Sequence, residues 1–444
     1  MRALFAPATI AAAVLAVSAS GLFAEAPPLL RSSEATQSSI CLDFERDYAD
    51  LAVLCETALT EFRHSDREMA RILTNLGRSL VETDRLDEGH ARLLEAAEIY
   101  PAWDRPWISI GWAFWDRNAF DDAGEAFEQA LFRKTTAEAL AGLSSSMRHA
   151  GHDLGRVMEL VDQSLLIEPD YTWAMVEKGW TEIDIGEPET AVKTFQRVLS
   201  LDPGYDNAAY GLARSYVAAD RRPEALTAIS TALEIDPENA YYLAYRSLLH
   251  RTLGNARRAL EDGIRALDGD PALSDAYVAT ARALIALGRT PEALDVLLSG
   301  RENDVSDNYF HYSYSDILAD EGQFDEALSE IDKALQSPGA DDRDHVMRSF
   351  ILMQLFLNDE AFAATRAALA LNPDNAVAYL NAAFSLLPDG SPEQIVTEIS
   401  SAVDAGLSKG ELNDFIAHLL SHNQIVLAAR IRLELGNRQA AGNE

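Results

Sequence analysis

The chain has 444 residues, 48% of them apolar and 24% charged, with 24 Gly and 16 Pro. That composition supplies a core and excludes disorder, collagen and other low-complexity classes. The net charge of −34 repels phosphate backbones and anionic headgroups, which argues against nucleic acid as a partner.

The chain opens on Met1-Arg2, and residues 3–24 carry no charge. Small residues (Ser18, Ala19, Ser20, Gly21) precede Ala24 and Glu25. A charged start, an apolar stretch and a small-residue exit form the layout of a secretory signal. Residues 1–24 are therefore expected to be a signal peptide, which predicts a periplasmic or secreted protein. An uncleaved inner-membrane anchor is the alternative, because 22 uncharged residues can span a bilayer. Pro7 and the Ala/Ser richness make that span a weak one. Residues 25–39 read as a linker. No later stretch approaches the ~20 apolar residues a span needs.

A period dominates the rest. Pro101, Pro169, Pro203, Pro237, Pro271 and Pro373 are separated by 34 residues or multiples of 34. Ala123, Ala191, Ala225, Ala259, Ala293, Ala327 and Ala361 repeat with the same step, as do Ala96, Ala130, Ala232, Ala266, Ala334 and Ala368. Within one period, residues 206–218 and 222–235 are each amphipathic at helical spacing, with a turn at 220–223. Gly186, Gly254, Gly288 and Gly322 fall in the equivalent turn, where a helix C-terminus favours Gly. The closing Pro stops the second helix, and Ala recurs where two helices cross closely.

These residues resemble the tetratricopeptide repeat. Residues 104–137 carry its pattern in Trp107, Gly111, Phe114, Ala123, Phe127 and Ala130. Residues 70–103 carry Leu76, Gly77, Ala96 and Pro101, and residues 172–205 carry Gly179, Ala191, Phe195 and Pro203. The phase holds over residues 70–409. The resemblance implies an all-α, right-handed superhelical α-solenoid of about ten 34-residue helix-turn-helix repeats. Repeat three departs with Ser144, Ser145 and Val157, and its first helix reads one residue early, which predicts a bulge. Repeat seven has Val305 in place of Pro, and repeat ten is degenerate after Pro388. Residues 40–69 are expected to be an N-terminal cap or eroded repeat. Residues 410–444 are expected to be C-terminal capping helices and a tail.

Cys41 and Cys55 are the only cysteines, with no zinc-finger spacing. On one straight helix they would stand about 21 Å apart. In the eroded-repeat reading they lie on opposite helices of a hairpin turning near residues 47–50, and a disulfide is predicted. Two small buried thiols are the alternative.

The resemblance also implies that positions 2, 5, 9 and 12 of each first helix line a concave groove. Along that stripe fall Trp112 and Trp115, then Arg148, then Trp173 and Trp180. Tyr210 and Arg214 follow, then Tyr241 and Arg251 with Tyr245 beside them, Arg282, and finally Tyr309 and Tyr312. Trp, Tyr and Arg are enriched at binding hot spots. The competing assignments are inter-repeat packing for the aromatics and ion pairs to neighbouring acids for the arginines. The expected partner is a protein or peptide segment whose carboxylates or C-terminus meet the arginines. A glycan is the alternative, since Trp and Tyr also stack on sugar rings. No catalytic constellation appears. Residues 142–146 lack the final Gly of a nucleophile elbow, and His418 with His422 lack further ligands. A non-enzymatic scaffold without cofactor or metal is expected.

Overall fold

The computed structural model describes Cys41 and residues 48–61 and 64–436. The expected signal peptide (1–24) and linker (25–39) lie outside the described residues, as do 437–444 of the expected tail. Among the described residues there are 23 helices and no strand. The fold is an all-α solenoid of helical hairpins. Among the described residues no helix is long and apolar enough to cross a membrane.

The chain divides into two compact units, one ending at Pro237 and the other beginning at Glu238. The first holds α1 (Tyr48–Glu61), α2 (Asp66–Glu82), α3 (Leu86–Ile99), α4 (Arg105–Trp115), α5 (Phe120–Arg133) and α6 (Ala137–His149). It continues with α7 (Leu154–Ile167), α8 (Thr172–Asp184), α9 (Pro188–Leu201), α10 (Asp206–Ala218) and α11 (Arg222–Ile235). The second holds α12 (Ala240–Thr252), α13 (Ala256–Gly269), α14 (Ser274–Ala286), α15 (Thr290–Glu302), α16 (Asn308–Asp320) and α17 (Phe324–Ala334). It ends with α18 (Asp342–Gln354), α19 (Asn358–Leu371), α20 (Ala376–Ser385), α21 (Pro392–Asp404), α22 (Lys409–Ser421) and α23 (Ile425–Gly436).

The second helices, from α3 at Leu86 to α21 at Pro392, all start one 34-residue step apart. The turn before each explains the constancy. Asp84, Asn118, Gly186, Asp220, Gly254, Gly288, Gly322 and Phe356 recur at one position with positive φ. The amide that follows reaches back to the helix, as Glu187 N does to Glu182 O at 2.8 Å. This backbone-bonded reversal satisfies carbonyls that the helix end leaves open.

Three departures read from sequence resolve differently. Repeat three does begin one residue early, at Ala137, but α6 carries no bulge. The shift is absorbed in the turn, where Gly151 takes the positive φ and α7 returns to phase. Repeat ten keeps its second helix α21 in register despite Pro388, and only α20 is shortened, to 10 residues. Val305, in place of the missing Pro, is buried in the core around Phe310.

Cys41 and Cys55 form a disulfide. The hairpin turn expected at 47–50 is not where it was placed, because α1 already begins at Tyr48. Cys41 instead sits in a turn over α1, and its carbonyl accepts from Asn75 Nδ2 at 3.0 Å. Leu51, Ala52 and Ala58 pack on Ile72, Leu76 and Leu80 of α2 around the bridge. Closing a loop of about 15 residues is worth roughly 3 kcal/mol in the chain-entropy account. At the other end, α22 and α23 bury Phe415, Ile416, Leu419 and Ile431 against Ile395 and Ile399 of α21.

Phe356 is the anomaly of the turn series. Its φ is 61° and its side chain is 86% exposed, so the ring does not compensate for a left-handed backbone. Phe356→Gly should therefore gain about 1 kcal/mol. Thermal unfolding checks this: a lower Tm in the variant would show that the ring contributes more than its backbone costs.

Candidate functional site

The candidate site lies on the first helices of the repeats. In the first unit, α4 and α8 each pack against α6. Helix α6 is built of Ala139, Ala141, Gly142, Ser144, Ser145 and Ser146, all buried. Small residues there let side chains from α4 and α8 meet across it. Trp112 and Trp173 touch edge to face with ring centroids 5.1 Å apart. Trp115 lies 6.1 Å from each of them. The Trp115 indole donates to Ser145 Oγ at 3.1 Å. His149 stands edge-on to Trp115 and stacks on Phe120. The serines of repeat three thus make room for a cluster of three tryptophans. Ser144 and Ser146 are buried and donate back to their own helix, to Ala141 O and Gly142 O.

Trp180 forms a second group with Phe195 and Tyr210, at 5.4 and 5.6 Å. Its indole donates to Asn207 Oδ1 at 3.3 Å. Arg214 lies over the Trp180 ring at 6.0 Å and donates to the Tyr210 hydroxyl at 2.8 Å. Trp112, Trp115, Trp173 and Trp180 all remain partly exposed. Tyr210 does not: at 1% exposure its ring is core, and its expected place on a ligand-facing surface is corrected. It faces inward because Gly179 and Gly211 close on Phe195, drawing α8 and α10 together.

The arginines separate by partner. Arg148 pairs with Glu177 at 3.1 Å and Asp184 at 3.4 Å, both on α8. Burial works against its charge, but the two carboxylates hold its pKa raised. It clamps α6 to α8, which corrects its expected role as a ligand contact. Removing one member of such a buried pair costs on the order of 3–5 kcal/mol. Arg282 donates to Asp316 on α16 at 2.8 Å. Arg251 has no such carboxylate among the described residues. In the second unit Tyr241 lies edge-on to Tyr242, and Tyr245 is half-buried. Tyr309 is 40% exposed, and Tyr312 is partly buried. Burial pushes both phenols up to about 12, so both stay protonated donors.

Sequence reasoning missed the buried polar partners. Arg246 grips Asp262 through two bonds of 2.7 Å. Glu330 accepts from His311 Nδ1 and Lys333 Nζ, which hold its carboxyl down against burial. Asp316 had a legible signal, since it stands one 34-residue repeat after Arg282. The rings of His418 and His422 stack 4.2 Å apart. Among the described residues no three metal-ligating side chains converge.

Comparison with known proteins agrees with the repeat fold. The tetratricopeptide repeat family models match residues 182–249 and 278–342. The crystal structure of yeast Tom70 superposes with a TM-score of 0.53 at 16% identity, covering 89% of this chain and 98% of that one. A tetratricopeptide repeat protein from Parabacteroides merdae gives 0.46 at 18% identity, covering 56% and 98%. Cut9–Hcn1, an APC/C hetero-tetramer, gives 0.45 at 13% identity, covering 84% and 80%. The likeness to Tom70 carries the fold alone.

Electrostatics at the first-helix ends yields one test. Glu82, half-buried at the end of α2, has its carboxyl pushed up to about 7 by burial and by Asp116, with Arg78 opposing. A folded pKa above the ordinary 4.5 means the folded chain holds the proton more tightly. Stability from this group is therefore greatest below 4.5 and is lost as pH rises to about 7. Glu82→Gln should flatten that part of the Tm–pH profile. An unchanged slope between those pH values would show that Glu82 titrates normally.

Proposed function

We propose a function for a chain that belongs to the tetratricopeptide repeat family: a non-catalytic scaffold that binds a segment of another protein on the face made by its first helices. The observation that carries this reading is the tryptophan cluster over α6. Three indoles are brought together from two helices by a run of small residues and are left partly open to solvent. Such a group offers large apolar area with little conformational freedom to lose, the property of an interface anchor. Trp180, with Arg214 over its ring, extends the same face into the next repeats.

The glycan alternative is the weaker reading. A sugar needs an open ring face, whereas these rings meet one another at 72°, 75° and 85°. Export to the periplasm or beyond belongs to the proposal. It draws support from the charged-then-apolar start of the chain and from the Cys41–Cys55 bridge, since disulfides persist in oxidising compartments.

The test compares capture of a partner from envelope extract by wild type and by two variants, Trp180→Ala and Trp173→Phe. Both should lose most of the capture while far-UV circular dichroism stays at the wild-type level. Capture unchanged in both variants would contradict the proposal, as would retention on oligosaccharide in preference to protein.

A further inference from the structure

His149 is the last residue of α6 and borders the tryptophan cluster. Its ring stacks on Phe120 at 4.9 Å and meets Trp115 edge-on at 5.4 Å. Both ring nitrogens are engaged. Nδ1 stands 2.8 Å from Ser145 O, a carbonyl that can only accept, so Nδ1 carries a proton. Nε2 stands 3.3 Å from the Arg148 guanidinium, which can only donate, so Nε2 is bare. The two contacts together define one neutral tautomer. A second proton would set an Nε2–H against the Arg148 N–H, charge against charge.

The consequence passes to the clamp. Arg148 holds α6 to α8 through Glu177 and Asp184. An imidazolium at His149 repels Arg148 and competes for the same two carboxylates. His149 is exposed, so the proton arrives without the fold opening and the charged ring can leave its slot for water. Leaving uncovers Trp115, the indole that lies against both Trp112 and Trp173. Stacking on Phe120 tolerates a cation as well as a neutral ring, so the Arg148 contact decides the outcome.

The other charges around α6 are engaged elsewhere or act with the opposite sign. Asp121 on α5 pairs with His152 at 3.3 Å, and Asp153 caps α7. Asp116, at the end of α4 beside Trp115, has its carboxyl pushed up to about 6 by burial. Like Glu82, it favours the folded chain in acid. At His149, loss of water around the packed ring and then the Arg148 charge lower the pKa, while Glu177 and Asp184 oppose them. A folded pKa below the ordinary 6.5 means that the unfolded chain binds this proton more tightly. Stability from His149 is full above 6.5 and is lost as pH falls through the folded value. Acid loosening of the cluster therefore has the sign of His149 and not of Asp116 or Glu82.

We propose that His149 is a pH switch on the tryptophan face: neutral, it closes the cluster beside Trp115; protonated, it parts from Arg148, the indoles separate and the bound segment is released. The release rests on the reading of this cluster as the binding face; the switch itself does not.

The full chain, with its disulfide intact, is read at about pH 7.5 and about pH 5.5 and between them, spanning the ordinary histidine value. Near-UV circular dichroism reports the packed indoles and far-UV the helices. Deuterium exchange at the imidazole C2, resolved by mass, reports the protonation of each histidine. In acid, wild type should lose most of the near-UV signal of the cluster, reversibly, with the far-UV signal unchanged. The midpoint should coincide with the titration of His149. His149→Phe keeps a ring in the slot, and His149→Gln keeps a polar group there; neither takes the proton. Both should hold the near-UV signal across the range, and His152→Gln should follow wild type. A flat near-UV signal in wild type would overturn the switch, as would a midpoint away from the His149 titration. These two readings need no variant to fold. An equal acid change in His149→Phe would overturn it as well. Capture of a partner from envelope extract should fall several-fold in acid for wild type and stay level for His149→Phe. Capture that stays level in wild type while the near-UV signal falls would overturn the release, and with it the tryptophans as binding face. Failure of the switch and failure of the binding face are thus read separately.

Discussion

Ala123, Ala191, Ala225, Ala259, Ala293, Ala327 and Ala361 are each sealed from solvent within the second helix of a repeat. A methyl group there lets the two helices of a hairpin approach closely, and a larger side chain would push them apart. Glycines extend the same constraint between repeats. A Cβ on Gly111 or Gly142 would fall within 2.8 or 2.4 Å of the Phe127 ring. Gly179 and Gly211 hold Phe195 in the same way, at 2.6 and 2.4 Å. One phenylalanine is thus clamped between its own first helix and the next. Phe127 and Phe195 stand two repeats apart, so the clamp reinforces a 34-residue register that the recurring turn and alanine set throughout.

The candidate face depends on that clamp. Gly142 and the serines of α6 stay small for the Phe127 contact and for close packing, and the space they leave is where Trp112, Trp115 and Trp173 converge. Repeat three therefore departs from the family pattern in its first helix, which starts one residue early, while its second helix keeps the phase. The departure is a change of filling, with Trp115 bonded to Ser145 in place of a larger residue on α6.

Much of the fold was legible in the sequence because its signals are local and periodic. Ala, Gly and Pro at fixed offsets report helix crossings, turns and stops, and all the second helices through α21 fall in phase. The site was legible only in part. Helical spacing placed the tryptophans on one stripe, and three of them do meet. It did not show that Tyr210 faces the core or that Arg148 is spoken for. Those outcomes depend on neighbouring repeats: Gly211 brings α10 in against Phe195 of the repeat before, and Glu177 and Asp184 of the repeat after reach back to Arg148. A residue's neighbours across repeats are 29 to 36 positions away here, beyond what the pattern of a single helix displays.

The central claim is that partners are held on the first helices and not on the second. The second helices offer the competing surface, since Phe132 on α5 and Leu166 on α7 are 88% and 84% exposed. A photo-crosslinking residue placed singly at positions 112, 180, 132 and 166 tests the claim most directly, with adducts resolved by mass. The account predicts partner adducts from 112 and 180 and none from 132 or 166. Adducts confined to 132 and 166 would contradict it and move the binding face to the second helices.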